Sequence, residues 1–348
     1  MPPNAPARAE TRPAVPTYRS MSGTDSEFDL IRRYFAEPAA AATAAEGLRL
    51  GIGDDAALLA VRPGYELVVA VDTLVEGTHF FPDHPPASLG HKALAANLSD
   101  LAAMGAEPLG ALLSLVLPGV DHAWLKGFSQ GFLALAGEAG VPLVGGDTNR
   151  GPLAISVTVL GEVPAGQALR RGGARPGDRL VVSGALGGAA AGLAHETHRR
   201  TRGEAPADSG NTACARLFWP PARLGVGRAL RNRARAAIDI SDGLLADLGH
   251  LCAASGCGAR VEWPQVPLDP LLEGMAEPEA RACALAGGED YELLFALPSD
   301  EPLDLLAFSV DAPLTVIGEM TEGDEVTIVD ARGARLEPGR AGHDHFAG

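Results

Sequence analysis

The hydrophobic positions of the chain first become regular near residue 28. Before that point, residues 1–24 consist mainly of Pro, Ala, Arg and Thr with no period, so we expect a disordered tail there. Phe28, Ile31 and Phe35 then recur at helical spacing behind acidic residues that suit a helix N-terminus. The pattern therefore predicts that ordered structure begins with a short helix over Phe28–Phe35.

Between residues 50 and 164, the hydrophobic pattern alternates between strand-like runs and helical spacing. Ser88–Met104 is predicted as a helix with Ser88 as N-cap and Gly105 as C-cap. The other predicted elements are strands over 51–61, 66–80, 112–117, 142–146 and 154–163 and a helix over 121–140. This order of strands and helices indicates an α/β layered domain.

A segment rich in Gly and Pro, residues 164–177, separates this unit from a second one. We therefore expect an N-terminal domain over 25–164 and a C-terminal α/β domain over 165–348. The predicted elements of the second domain are strands over 178–183, 236–240, 259–262, 291–297 and 315–320, a helix opening at Gly187, a mobile loop over 199–211 and a helix over 244–255.

Charge and composition exclude several classes of protein. The 348 residues include 28 basic and 44 acidic side chains, a net charge of −16, which disfavours nonspecific binding to nucleic acid or anionic membranes. Neither of the two lysines, Lys92 and Lys126, follows a glycine-rich loop, so a Walker-type phosphate loop is excluded. The four cysteines form no C-x-x-C pair, and no apolar run approaches the length of a membrane span. We expect reduced cysteines and a cytoplasmic protein.

The chemistry of the chain is concentrated in carboxylates at the predicted ends of strands and helices. These are Asp54, Asp55, Asp72, Asp100, Asp147, Asp239 and Asp242. Converging carboxylates repel one another, and ionised groups of this kind are stable together mainly when divalent cations neutralise them. We expect the seven to meet at one site with Mg²⁺, the natural ion where phosphates are also bound. Taken singly, each Asp beside a Gly is also ordinary turn chemistry.

Several other segments are candidates for binding phosphates or substrate. The turn at 184–193 follows a strand and opens a helix, which is the arrangement of an anion site at a helix N-terminus. Residues 143–151 combine two Gly, a carboxylate, a hydroxyl and Arg150 within a short span. His79 follows a predicted strand and is suited either to a phosphate contact or to a structural role. Glu289 and Asp290 precede another strand, where either could bind substrate or cap the turn.

The motifs together resemble those of the thiamine-monophosphate kinase family, within the superfamily of aminoimidazole ribonucleotide synthetase. The matching segments, which extend over roughly Phe28–Phe346, read GIGDDAAL, VDTLVEGTHF, HKALAANLSDLAAMGAEP, VGGDTNRG, LRRGGARPGD, AIDISDGLLADLGH and LAGGEDYELLF. The resemblance implies two α/β (α+β) domains, with the N-terminal sheets pairing in a homodimer. It also implies phosphorylation of thiamine monophosphate to the diphosphate with ATP and several Mg²⁺ ions.

The resemblance implies roles for individual residues as well. The implied Mg²⁺ ligands are the seven aspartates above, with Asp54 the least certain by motif, and the implied ATP contacts are Gly146, Asp147, Arg171 and Ser241. His79 and Glu289 would contact the substrate, and His343 stands where the family tends to carry an aromatic residue that packs on thiamine. Asp100, Arg171 and Asp242 would act in catalysis.

A phosphate monoester has a second pKa of about 6, so it is already a competent nucleophile at neutral pH. Direct transfer of the γ-phosphoryl group, without a general base or a phosphoenzyme, is therefore expected. The alternatives are another ATP-dependent enzyme of the superfamily, or a nonenzymatic protein that binds Mg²⁺ and nucleotide.

Overall fold

The computed structural model describes residues 26–41 and 47–337, so the predicted tail and His343 lie outside the described residues. The helices are α1 (Glu27–Ile31), α2 (Glu37–Ala41), α3 (Pro86–Ala103), α4 (His122–Ala139), α5 (Gly188–Thr201), α6 (Ala215–Phe218), α7 (Leu224–Leu230), α8 (Leu244–Ser255), α9 (Glu277–Ala286) and α10 (Leu303–Ala307). The strands are β1 (Leu48–Leu50), β2 (Leu58–Leu59), β3 (Tyr65–Val75), β4 (Glu107–Leu117), β5 (Leu143–Arg150), β6 (Ala154–Pro164), β7 (Arg179–Ser183), β8 (Ala236–Asp239), β9 (Gly258–Glu262), β10 (Leu293–Leu297), β11 (Leu314–Thr321) and β12 (Val326–Val329).

The N-terminal domain is built on a four-stranded sheet in the order β3-β6-β4-β5, in which only the β4–β5 pair is parallel. Side chains alternate between its two faces. On one face, Leu74, Leu113, Ile155 and Val157 are buried against the helices α3 and α4. The opposite face, which we call the open face, exposes Leu67, Val69, Val71 and Val75 of β3.

The C-terminal domain has a six-stranded mixed sheet in the order β12-β9-β11-β7-β10-β8. Both of its faces are covered. One face packs on α8 and α9 through alternate residues such as Val182 and Leu294. The intervening residues, including Val181 and Phe295, join the same hydrophobic core as α3. Helix α3 therefore packs against both sheets and belongs to a hydrophobic core that the two domains share.

Close helix packing around α3 depends on glycine. A Cβ on Gly131 of α4 would lie 1.8 Å from the carbonyl oxygen of Ala87, and one on Gly227 of α7 would lie 1.9 Å from that of Ala102. No side chain fits either contact, so these glycines set the approach of α3 to a helix of each domain.

Several predicted elements differ from the observed ones. Helix α3 begins at Pro86, since Pro is favoured in the first turn, and Ser88 lies inside the helix with its hydroxyl bonded to His84 Nε2 (3.1 Å). Residues 51–61 form only the two-residue strand β2, because their hydrophobic run is interrupted by the acidic glycine turn. The predicted loop over 199–211 begins later, since α5 continues to Thr201.

The remaining predictions concern the domain boundary, the cysteines and the membrane. Strand β6 ends at Pro164 in one sheet and β7 begins at Arg179 in the other. The segment between them includes the Gly- and Pro-rich residues, and the domain bounds themselves stay a prediction. All four cysteines are free, as expected. Among residues 26–41 and 47–337, every helix is too short or too polar to cross a lipid bilayer.

Candidate active site at the domain junction

Four of the predicted aspartates lie around the contact between α3 and the second sheet, and we call them the junction group: Asp72, Asp100, Asp239 and Asp242. Asp72 belongs to the covered face of β3, where its backbone N–H donates to Asn97 Oδ1 on α3 (3.0 Å). Asp239 ends β8 and accepts a hydrogen bond from Ser99 Oγ (2.7 Å). Asn97 and Ser99 of α3 therefore bind one strand of each domain at the residue that carries the aspartate.

The junction group shares one electrostatic field. Burial, followed by the charges of Asp239 and Asp72, raises the pKa of Asp100 to about 7, although Arg171 opposes the shift. Burial also raises the pKa of Asp239, against the hydrogen bond from Ser99. The pKa of Asp72 is raised by loss of solvent around its carboxyl and by the charge of Asp242, whereas the nearby His79 lowers it. These carboxyls are therefore costly to ionise together without a cation.

A buried carboxylate that the sequence analysis missed supports the Ser241–Asp242 turn. Asp247, on the first turns of α8, accepts hydrogen bonds from the backbone N–H groups of Ser241 and Asp242, both at 3.0 Å. Burial is the main cause that raises the pKa of Asp247 to about 7. The sequence did contain a signal for this role of Asp247. In SDGLLAD it falls in the first turn of the helix that follows Asp242, and a carboxylate in the first turn commonly accepts hydrogen bonds from the amides that precede the helix.

The two segments predicted to contact substrate also lie at this junction. The backbone N–H of Val75 donates to His79 Nδ1 (3.0 Å), which fixes the orientation of the imidazole ring. Glu289 Oε1 lies 2.7 Å from Lys92 Nζ on α3. Tyr291 is buried, and burial together with the charges of Glu289, Asp72, Asp239 and Asp100 raises its pKa. Lys92 and Tyr291 were not among the predicted site residues.

The predicted anion site at the N-terminus of α5 is filled by the protein itself. Asp290 is buried, and its carboxyl accepts from the N–H groups of Gly187 (2.7 Å) and Ala189 (3.2 Å). The hypothesis that residues 184–193 bind a phosphate is therefore wrong. Of the two acidic neighbours, Asp290 caps the turn, and Glu289 is the one directed to Lys92.

The other three aspartates, which we call the sheet-face group, border a different space: Asp54, Asp55 and Asp147. All three are exposed and line a cavity of about 1000 Å³ that extends over the open face. Gly146 and Ser114 line it too, and Phe28, Ile31 and Phe35 add an apolar wall. Asp147 Oδ2 accepts a hydrogen bond from Asn149 Nδ2 (2.5 Å).

The seven predicted ligands thus form two groups within one chain. Asp72 shares the covered face with Leu74, whereas Asp147 lines the cavity over the open face. Over the described residues, no three His, Cys, Asp or Glu side chains are arranged to hold a metal ion. Metal binding, and the sharing of one site by all seven, stay predictions.

Comparison with known proteins agrees with this architecture. A family profile described as "AIR synthase related protein, N-terminal domain" matches residues 53–163, and one described as "AIR synthase related protein, C-terminal domain" matches residues 175–331. The thiamine-monophosphate kinase of Escherichia coli (strain K12) is 45% identical over 324 residues, which cover 92% of this chain and 98% of that protein.

Two solved structures resemble the chain throughout. The crystal structure of thiamine-monophosphate kinase from Stenotrophomonas maltophilia K279a is 43% identical with a TM-score of 0.79, covering 87% of this chain and 96% of that one. A structure described as AaThiL complexed with AMPPCP and TMP is 30% identical with a TM-score of 0.71, covering 93% and 100%. With both domains matched and its relatives spanned almost completely, the chain belongs to the thiamine-monophosphate kinase family.

Proposed function

We propose that this protein transfers the γ-phosphoryl group of ATP to thiamine monophosphate, which gives thiamine diphosphate and ADP. The observation that carries the proposal is the junction group: four neighbouring aspartates, of which Asp72, Asp100 and Asp239 have a raised pKa. Arg171 lies beside them, and His79 and Glu289 lie on adjoining loops. The likeness to a structure complexed with AMPPCP and TMP supports the choice of the two substrates.

The donor set of the junction group fits Mg²⁺, because oxygen ligands that repel one another when ionised are stabilised by a divalent cation. Asp72, Asp100, Asp239 and Asp242 would hold ions there, and Asp54, Asp55 and Asp147 would hold or approach ions at the nucleotide. Several bound Mg²⁺ ions would screen the repulsion between the two anionic substrates and stabilise the charge on the transferring group.

The side chains of the protein have defined tasks in this proposal. The His79 ring donates from Nε2 to the acceptor phosphate, since Nδ1 is engaged by Val75 N–H. Arg171 binds the nucleotide phosphates, and the Ser241–Asp242 turn, held by Asp247, adds Ser241 to the nucleotide site. Because the acceptor phosphate is already a dianion, no general base is needed and transfer is direct, in line and without a phosphoenzyme.

The nucleotide and the dimer both involve the open face in this proposal. Gly146 and Asp147 contact ATP at the cavity, whose apolar wall is suited to a base. The exposed valines of β3 support pairing of the four-stranded sheets in a homodimer, since apolar strands of this length are seldom left uncovered. His343 is proposed to contact thiamine, and it lies outside the described residues.

The direct test is an assay of purified protein with ATP, Mg²⁺ and thiamine monophosphate, with thiamine diphosphate followed by chromatography. Formation of the diphosphate with stoichiometric ADP is expected. Binding of ATP without turnover would favour the nonenzymatic alternative, and ADP release with a different acceptor would favour another enzyme of the superfamily. A chirally labelled γ-phosphorus should be inverted, and retention would refute direct transfer.

A further inference from the structure

Lys92 is a fully buried cation in the middle of α3. Its side chain is 1% exposed, and its Nζ lies 2.7 Å from Glu289 Oε1 and 3.5 Å from the backbone oxygen of His79. An ammonium group without solvent is stable only when it is paired and hydrogen-bonded. Both of its partners belong to loops that the proposed function assigns to the acceptor substrate, one from each domain.

The loop that carries Glu289 is held in a strained conformation. Glu289 and Tyr291 have φ angles of 68° and 50°, in the left-handed region that non-glycine residues rarely adopt. The N–H of Glu289 donates to the carbonyl of Ser241 (2.8 Å), and a Cβ on Gly288 would lie 2.4 Å from that oxygen. The loop is therefore pressed against the Ser241–Asp242 turn on one side and tied to Lys92 on the other.

Stability alone does not account for a lysine at this position. Replacing a buried ion pair with apolar side chains is often neutral or stabilising, because both charges lose their hydration. The neighbours Leu89 and Ala93 on α3 are buried and apolar, so a methionine at position 92 would match its surroundings. What an apolar side chain could not do is hold the Glu289 carboxylate and the His79 carbonyl at fixed positions.

We propose that Lys92 is a positioning residue for the acceptor: it sets the spacing between His79 and Glu289 across the domain junction so that both reach thiamine monophosphate. The proposal rests on the proposed function. It assigns Lys92 to the acceptor, because its two contacts lead to the predicted acceptor loops. Of the predicted nucleotide contacts, Gly146 and Asp147 lie on β5, and Ser241 meets the Glu289 loop through its backbone carbonyl, which a change at Lys92 leaves in place.

The test is a double-mutant cycle in the full-length protein with Lys92→Met, Glu289→Gln and the double variant. KM is measured for each substrate, and the Kd of thiamine monophosphate by calorimetry. Each single variant should raise the KM and Kd for thiamine monophosphate about tenfold, the effect of one charge-assisted hydrogen bond, and leave the KM for ATP within about twofold. Because Lys92 acts through the Glu289 carboxylate and the His79 carbonyl and not on the substrate itself, the impairment of the double variant should stay well below the about hundredfold of two independent effects.

Three results would overturn the proposal: an unchanged KM for thiamine monophosphate in Lys92→Met, a comparable rise in the KM for ATP, or effects that multiply in the double variant. A purely structural role would lower the melting temperature and the active fraction without this split. If Lys92→Met does not accumulate as folded protein, Lys92→Arg gives the same test, since its longer planar head displaces the Glu289 carboxylate. Wild-type protein without kinase activity would instead refute the proposed function.

Discussion

The junction group and the sheet-face group carry the same functional group in opposite environments. Around the junction, Ser99 donates to the buried carboxyl of Asp239, and the pKa of Asp100 reaches about 7. Asn97 and Asp247 accept hydrogen bonds from the backbone N–H groups of Asp72 and Asp242, so the segments that carry these aspartates are held by residues distant along the chain or on the following helix. On the open face, Asp54, Asp55 and Asp147 are exposed, and their hydrogen bonds come from adjacent residues. The fold therefore fixes the positions of the junction group in advance, whereas the positions of the sheet-face carboxylates depend on the molecule that covers the open face.

The largest effect should come from Asp100→Asn, which removes a charge from the centre of the junction group. Turnover should fall by about 10³-fold or more, since a preorganised charge in a water-poor site acts directly on the transition state. Thermal stability should be kept, because removing one of several repelling carboxylates relieves strain. Steady-state kinetics and a melting curve check both, with the exposed turn variant Asp300→Asn as control. Normal kinetics in Asp100→Asn would remove Asp100 from the site.

The next largest loss of activity should follow removal of Asp247, whose carboxylate holds the Ser241–Asp242 turn. Asp247→Ala leaves the amides of Ser241 and Asp242 without their acceptor, so kcat should fall about 10- to 100-fold. The free energy of unfolding should fall by about 1–3 kcal/mol, the cost of unsatisfied buried amides. Asp247→Asn, which keeps an acceptor oxygen, is the matched control and should retain most activity. Equal losses in the two variants would show that charge, not amide support, is what matters.

A smaller effect is expected on the open face. Asp147→Asn should raise the KM for ATP about tenfold, with an unchanged melting temperature, because the side chain is exposed. Initial rates over a range of ATP at saturating acceptor measure it, with the exposed loop variant Asp324→Asn as control. A loss as large as that of Asp100→Asn would mean that the two groups act as one site.

The smallest expected effect is a difference between two pH values in how far Mg²⁺ raises the melting temperature. A carboxyl whose pKa is raised from 3.8 to about 7 in the folded protein contributes stability below pH 4 that is lost as the pH rises through 7. Mg²⁺ competes with that proton at Asp100, so it should raise the melting temperature of metal-free protein by more degrees at pH 8 than at pH 6. The dependence on pH should weaken in Asp100→Asn. Equal shifts at both pH values in the wild type would contradict metal binding at the junction.

The sequence predicted the regular parts of the fold better than the support of the site. Helix α8 was predicted with its observed bounds because a clear hydrophobic period lies between two glycines. Strand β12 and helix α9 were missed, since each is short and weakly patterned. The strand predicted over 51–61 is wrong for its first part, the acidic turn at 51–57. The hydrophobic residues on either side of that turn give the same pattern as a strand.

The site residues divide in the same way: those with a local sequence signal are predicted, and those whose role depends on distant contacts are not. The motif aspartates were found because carboxylates at element ends are visible in a sequence. Lys92 was missed because a lysine in a helix is ordinarily solvated, and nothing local indicates that its helix lies between two domains. The separate tasks of Glu289 and Asp290 depend on contacts with α3 and α5, far away along the chain, so adjacency alone could not separate them.

The glycine contacts on both sides of α3 have a consequence for how the molecule melts. Since α3 is enclosed by α4 and α7 at backbone distance and shares one core with the second sheet, neither domain can lose its structure while the other keeps its hydrophobic surface covered. The two domains should therefore unfold in a single cooperative transition, with a calorimetric enthalpy equal to the van't Hoff value.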